Sequence, residues 1–243
     1  MLFVNTRPLE RASSLTQALN MPVLALPLLE LVPCHGIYPY KQLIDTQVIV
    51  VVSPTAAILG LQGLKENQIS LKDLQHIQWI AVGQATAKVL AAVGMTAHIP
   101  LVETSEGMLD LPILKKQAIK QIAFWRGKGG RQFMMHQLAQ QGISILNFCL
   151  YERKLPQASK CVFQNSLPQL EQEKNIIVCI SSEASWLNWL SLCKKTPHLI
   201  TKCLYLTLGD RLTKLIQQNS SLHVQKIVSL KPHVIQQAVK GIL

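Results

Sequence analysis

A chain of 243 residues suits two α/β units of roughly 100–150 residues each better than one. With 49% apolar and only 15% charged residues, the composition excludes a disordered chain and predicts well-buried sheets. The net charge of +11 favours anionic partners. The cations are nevertheless spread along the chain, with no helix-turn-helix, zinc-finger or RNP signature, so no nucleic-acid partner is expected.

In chain order, short runs rich in Val and Ile predict strands at residues 2–4, 23–26, 48–52, 79–82, 122–125, 143–149, 176–180 and 203–208. Amphipathic stretches follow most of them, such as 85–92, which Gly94 closes by taking the left-handed conformation past a helix end. This alternation is that of βα units around parallel sheets. The apolar run at 48–52 falls far short of the roughly 20 residues a membrane span needs. Arg7, Glu10 and Arg11 interrupt any secretory apolar segment, so the reading is a cytoplasmic protein with no membrane partner. The six cysteines form no C-x-x-C pair and the seven histidines have no ligand spacing, so neither a metal nor a disulfide framework is expected.

The chain carries a degenerate internal repeat. Residues 4–7 before a helix are echoed by 125–128, Ser53-Pro54 after a strand by Ser181-Ser182, and 80–87 more weakly by 205–212. Two copies imply paired domains rather than a solenoid. The repeated unit is a strand-turn-helix junction, whose unpaired N–H groups and helix dipole suit anions.

Several junction residues admit two readings. Arg126-Gly127-Lys128-Gly129-Gly130-Arg131 lacks Walker A spacing and is either a glycine-rich anion loop or a solvated basic turn. Ser53 before Pro54 reads as an N-cap with proline at N1, or as a ligand contact. Thr86 either caps locally or faces a ligand, and the same choice applies to Ser181 and Ser182. Arg7 is a ligand contact or an exposed residue set by the turn before Pro8.

Thr6-Arg7-Pro8, Ser53-Pro54, the block at 81–87, Ser105-Glu106-Gly107, the loop at 126–131 and Tyr151-Glu152-Arg153 occur in an order and spacing that span nearly the whole chain. Together they resemble the uroporphyrinogen-III synthases. The resemblance implies an α/β fold of two lobes, each with a parallel sheet flanked by helices, joined by a two-stranded connector. Lobe one would be built from both chain ends (residues 1–33 and 156–243), lobe two from 37–148, and the connecting strands from 29–36 and 147–155. Substrate would lie in the cleft between the lobes.

The resemblance further implies a monomeric, cofactor-independent hydro-lyase that closes hydroxymethylbilane, a polycarboxylate tetrapyrrole, into uroporphyrinogen III. Water is lost and the last pyrrole is inverted. The substrate-binding residues it implies are Thr6, Arg7, Ser53, Gly83, Thr86, Arg126, Gly127, Lys128, Arg131, Ser181 and Ser182, with Tyr151 donating a proton to the departing hydroxyl. Tyr151 read on its own is equally a ring packed on a lobe edge with its hydroxyl in water. One departure is Asp210-Arg211-Leu212, which stands where the family often carries a Pro-Thr-Thr type sequence, putting ligand binding there in doubt. An anion-binding protein or an inactive paralogue of the same fold is the alternative reading.

Overall fold

The computed structural model describes residues 1–116, 119–218 and 221–242. The first half contains β1 (Leu2–Asn5), α1 (Leu9–Ala18), β2 (Val23–Ala25), β3 (Glu30–Pro33), β4 (Val48–Val51), α2 (Pro54–Glu66), β5 (Gln78–Ala81), α3 (Gln84–Ala91), β6 (Ala97–His98), α4 (Ser105–Leu109) and α5 (Pro112–Lys116). The second half continues with β7 (Gln121–Gly127), α6 (Phe133–Gln140), β8 (Ser144–Lys154), α7 (Gln157–Gln172), β9 (Ile176–Ile180) and α8 (Glu183–Leu192). It closes with α9 (His198–Lys202), β10 (Cys203–Leu208), α10 (Gly209–Gln217), β11 (His223–Ile227) and α11 (Pro232–Lys240).

The chain divides into two compact units, one made of Met1–Glu30 and Arg153–Leu243, the other of Leu31–Glu152. The first unit is thus built from both chain ends, and β3 and β8 carry the chain across the division. Its sheet has the order β11-β10-β9-β1-β2, all pairs parallel. The second unit has the order β3-β8-β7-β4-β5-β6, with every pair from β8 to β6 parallel.

Parallel sheets need cover on both faces, and the strand sequences supply it. In the first unit Leu2, Val4, Ile176, Val178 and Ile180 pack on one face with residues of α7, α8, α9 and α10, while Phe3, Ile177 and Cys179 pack on the other with α1 and α11. In the second, Ile49 and Val51 face α2 and α3 while Val48 and Val50 face α4 and α6. Each fully buried Val, Leu or Ile contributes about 1.5–3 kcal/mol relative to exposure. That is why the uninterrupted runs at 48–51 and 176–180 sit at the centre of their sheets.

Strand order reverses between β1 and β9 in the first unit and between β4 and β7 in the second. Such switch points leave a crevice beyond the carboxyl ends of the strands, where ligands of open α/β sheets bind. Two edge strands and one interior strand differ from the sequence reading. β6 has two residues, and β11 (His-Val-Gln-Lys-Ile) is mixed polar because one side of an edge strand needs no apolar cover. β8 is a single 11-residue strand where the sequence suggested a strand followed by a separate connector.

Candidate active site

At the end of β4, Ser53 adopts extended geometry (φ −166°, ψ 158°) and its hydroxyl oxygen accepts the Ala56 N–H at 3.1 Å, with Pro54 opening α2. Ser182 does the same after β9 (φ −157°, ψ 158°), accepting the Ser185 N–H at 3.1 Å and lying 2.8 Å from the Ser185 hydroxyl. At this pair of junctions the sequence repeat is the same N-cap built twice. Ser181, beside it, is half-buried. Gly83 caps α3 in the same extended form but without a side chain.

Tyr151 reaches this junction through a bulge. Cys149 pairs with Arg126 while Tyr151 pairs with Gly127, so β8 carries one extra residue at the point where β7 ends, and a bulge of this kind re-aims a side chain. The Lys128 N–H donates to the Tyr151 carbonyl at 2.7 Å, fixing the turn. Tyr151 is 2% exposed, and its hydroxyl lies 3.0 Å from Ser53 Oγ at the β4–β7 switch point. Its hydroxyl is therefore engaged within the unit, and the reading of a ring on an edge with its hydroxyl in water does not hold.

The basic loop does two different things. Arg126 is 3% exposed, donating to the Gly130 carbonyl and, at 3.6 Å, to Met135 Sδ. The sequence offered it as a substrate contact. In the fold its guanidinium closes the loop onto Gly130. Lys128 and Arg131 are exposed and paired to carboxylates, Lys128 to Glu152 at 3.7 Å and Arg131 to Glu106 at 3.1 Å. A hydrogen bond from its own backbone, together with the Arg131 guanidinium, holds the Glu106 carboxyl below the usual carboxylate range.

At α3, where the resemblance implied Gly83 and Thr86 as substrate-binding residues, an internal carboxylate covers the helix N-terminus. Glu103 Oε1 accepts the Gln84 N–H at 2.9 Å, and a Cβ on Gly83 would meet that carboxyl group at 2.2–2.3 Å. The turn that presents Glu103 depends on Gly107, where a Cβ would stand 2.2 Å from the Val102 carbonyl oxygen, and on Thr104, which caps α4. Thr86, in the first turn of α3, is 1% exposed.

In the first unit Thr6 is also turned inward. It is 1% exposed and its hydroxyl donates to the Cys179 carbonyl, tying β1 to β9 across the switch point. Arg7 is half-buried and donates to the Leu230 carbonyl at 3.3 Å. The 209–212 junction differs from that of α3: Gly209 has φ +76°, Asp210 pairs with Lys226 at 2.8 Å, and Arg211 pairs with Glu183 at 3.1 Å. Sequence reasoning missed Glu103, Glu106 and Glu152 as partners of the junctions. Two of them lie inside motifs already noted, 105–107 and 151–153, and Glu103 stands two residues before the first. Among the described residues, no group of three or more His, Cys, Asp or Glu is placed to hold a metal ion.

The family model described as Uroporphyrinogen-III synthase HemD matches residues 10–227. The chain belongs to this family. Family membership carries the ring closure of hydroxymethylbilane to uroporphyrinogen III, a cyclising lyase step of porphyrin and heme biosynthesis. Solved structures share the fold. A mutant uroporphyrinogen III synthase from the extremely thermophilic bacterium Thermus thermophilus is 14% identical with a TM-score of 0.70, covering 100% of this chain and 98% of its own. The uroporphyrinogen-III synthetase of Helicobacter pylori is 16% identical with a TM-score of 0.58, covering 100% and 98%. No helix among the described residues is long and apolar enough to cross a membrane.

Proposed function

We propose that the β4–β7–β8 junction of the second unit is where this family's ring closure takes place, without a cofactor, and that Tyr151 supplies the proton for the departing hydroxyl. The reaction begins with loss of the terminal hydroxyl as water, driven by the pyrrole nitrogen lone pair. The substituted carbon of the last ring attacks the resulting azafulvenium, and the spiro intermediate fragments and recloses with that ring turned round. None of these steps transfers electrons to an outside acceptor, so a proton donor and a surface that folds the substrate meet the chemical demand. A positioned donor contributes typically about 10²–10⁴-fold.

The observation that carries this reading is the Tyr151 hydroxyl 3.0 Å from Ser53 at a topological switch point. Lys128, Arg131 and the α2 N-terminus beside it offer charge-assisted hydrogen bonds to the substrate carboxylates. Each contributes about 1.5–3 kcal/mol, so a few suffice for micromolar binding. Tyr151→Phe is expected to lower kcat by about 10–10³-fold with little change in KM. An unchanged kcat in single turnover, in a folded variant, would remove Tyr151 from the mechanism. Activity is expected to survive chelation and dialysis, and loss in EDTA restored by one metal would contradict the cofactor-free reading.

A further inference from the structure

We infer that Ser53 is the group that hands the proton to the departing hydroxyl, with Tyr151 behind it as the source. This rests on the function proposed above and adds a second catalytic residue to it. Tyr151 is 2% exposed, and its ring is closed over by Gly127, where even a Cβ would come within 2.6 Å. Ser53 is half-buried, stands two residues past the end of β4, and lies 3.0 Å from the phenol oxygen. Of the pair, the serine is the member an incoming hydroxyl meets.

The hydrogen-bond inventory of a serine gives the relay a direction. A hydroxyl oxygen has two lone pairs and one proton. One lone pair of Ser53 is fixed by the Ala56 N–H at 3.1 Å. Either hydroxyl can donate across the 3.0 Å contact, and the relay uses the arrangement in which the Tyr151 O–H fills the second lone pair and the serine proton is left for an acceptor outside the pair. Because Ala56 lies in the first turn of α2, the helix backbone sets the orientation of the hydroxyl, and no loop movement is needed to bring it to bear.

The step balances without an outside reagent. As the C–O bond breaks, its electron pair goes to the leaving oxygen, which takes the Ser53 proton and departs as water. Ser53 takes the Tyr151 proton in the same event, leaving a phenolate. The pyrrole nitrogen supplies the electrons for ionisation. The carbon that forms the last ring bond later loses a proton, and that proton returns along the same pair to restore Tyr151. The net change is loss of one water from the substrate.

The test compares Ser53→Ala, Ser53→Gly, Ser53→Thr, Tyr151→Phe and the double variant Ser53→Ala/Tyr151→Phe in single turnover. Glycine retains most of the N-cap preference, so Ser53→Gly isolates loss of the hydroxyl if Ser53→Ala fails to fold. Ser53→Ala and Ser53→Gly are expected to lower kcat by about 10–10²-fold with KM unchanged, with Ser53→Thr recovering most of the rate. The double variant should be no slower than the slower single, because both side chains serve one proton path. The wild-type rate in H₂O–D₂O mixtures should depend quadratically on deuterium fraction, reporting two protons in flight. A full rate in Ser53→Ala and Ser53→Gly beside a slow Tyr151→Phe, or a linear dependence on deuterium, overturns the relay and leaves Tyr151 as a direct donor. A full rate in Tyr151→Phe overturns the relay together with the role of Tyr151.

Discussion

The ring of Tyr151 lies so close to Gly127 that a Cβ on Gly127 would stand 2.6 Å from the ring carbons. Glycine is therefore required at the end of β7 because another side chain occupies the space. Gly127→Ala must push the phenol off Ser53 or shift the bulge, and overpacking of this kind costs about 1–3 kcal/mol. Denaturant unfolding should show that loss together with a fall in kcat. A destabilised variant with full kcat would show that the placement of Tyr151 over Gly127 does not matter for turnover.

Arg126 and Lys128 are two residues apart in one basic loop, yet their substitutions should fail differently. Arg126→Ala removes hydrogen bonds from a buried guanidinium to Gly130 and Met135 and is expected to lose about 1.5–3 kcal/mol of stability. Lys128→Ala and Arg131→Ala remove exposed groups and should leave stability within about 0.5 kcal/mol. If these two cations hold substrate carboxylates, KM rises and kcat holds. Steady-state kinetics beside unfolding curves separates the two classes. A higher KM with full stability in Arg126→Ala would reverse the assignment.

Glu103 stands on the N-terminus of α3, its carboxylate accepting the Gln84 N–H and filling the space a Cβ on Gly83 would need. Glu103→Ala vacates the Gln84 N–H. If Gly83 and Gln84 are part of the substrate surface, the substrate no longer exchanges against an internal anion, and KM should fall with kcat unchanged. The measurement is KM for hydroxymethylbilane in the two proteins. An unchanged or higher KM in the variant would assign Glu103 to capping α3 and take Gly83 out of the binding surface.

The cysteines separate by environment. Burial pushes the Cys179 and Cys203 thiols up to about 12 and raises that of Cys193 as well, keeping them protonated and slow to react. Cys161 is exposed. Iodoacetamide at pH 8 should therefore label Cys161 in the native protein and reach Cys179, Cys193 and Cys203 only after denaturation, as read by peptide mass spectrometry. Native labelling of Cys179 would contradict the packing of β9.

The central strands were legible because their signal is local: Val48–Val51 and Ile176–Ile180 are apolar at every position, as two-sided burial demands. β6 and β11 were not, since a two-residue edge and a mixed polar edge carry no such run. The Ser53 cap was legible for the same reason, its partner Ala56 being three residues on. The inward turn of Thr6 was not, because it is decided by Cys179, 173 residues away. Likewise nothing near Ser53 announces Tyr151, 98 residues on, and an exposed glutamate such as Glu103 leaves no periodic trace of the helix end it covers.

The most direct test of the account is the isomer of the product. Incubated with freshly prepared hydroxymethylbilane, the protein should yield porphyrinogen with the last ring inverted, which chromatography after oxidation resolves as the type III porphyrin. Wild-type protein should give type III in excess over the uninverted type I that forms spontaneously, and Tyr151→Phe should give it more slowly. Type I alone, at the rate of the buffer control, would contradict the assignment of ring closure to this chain.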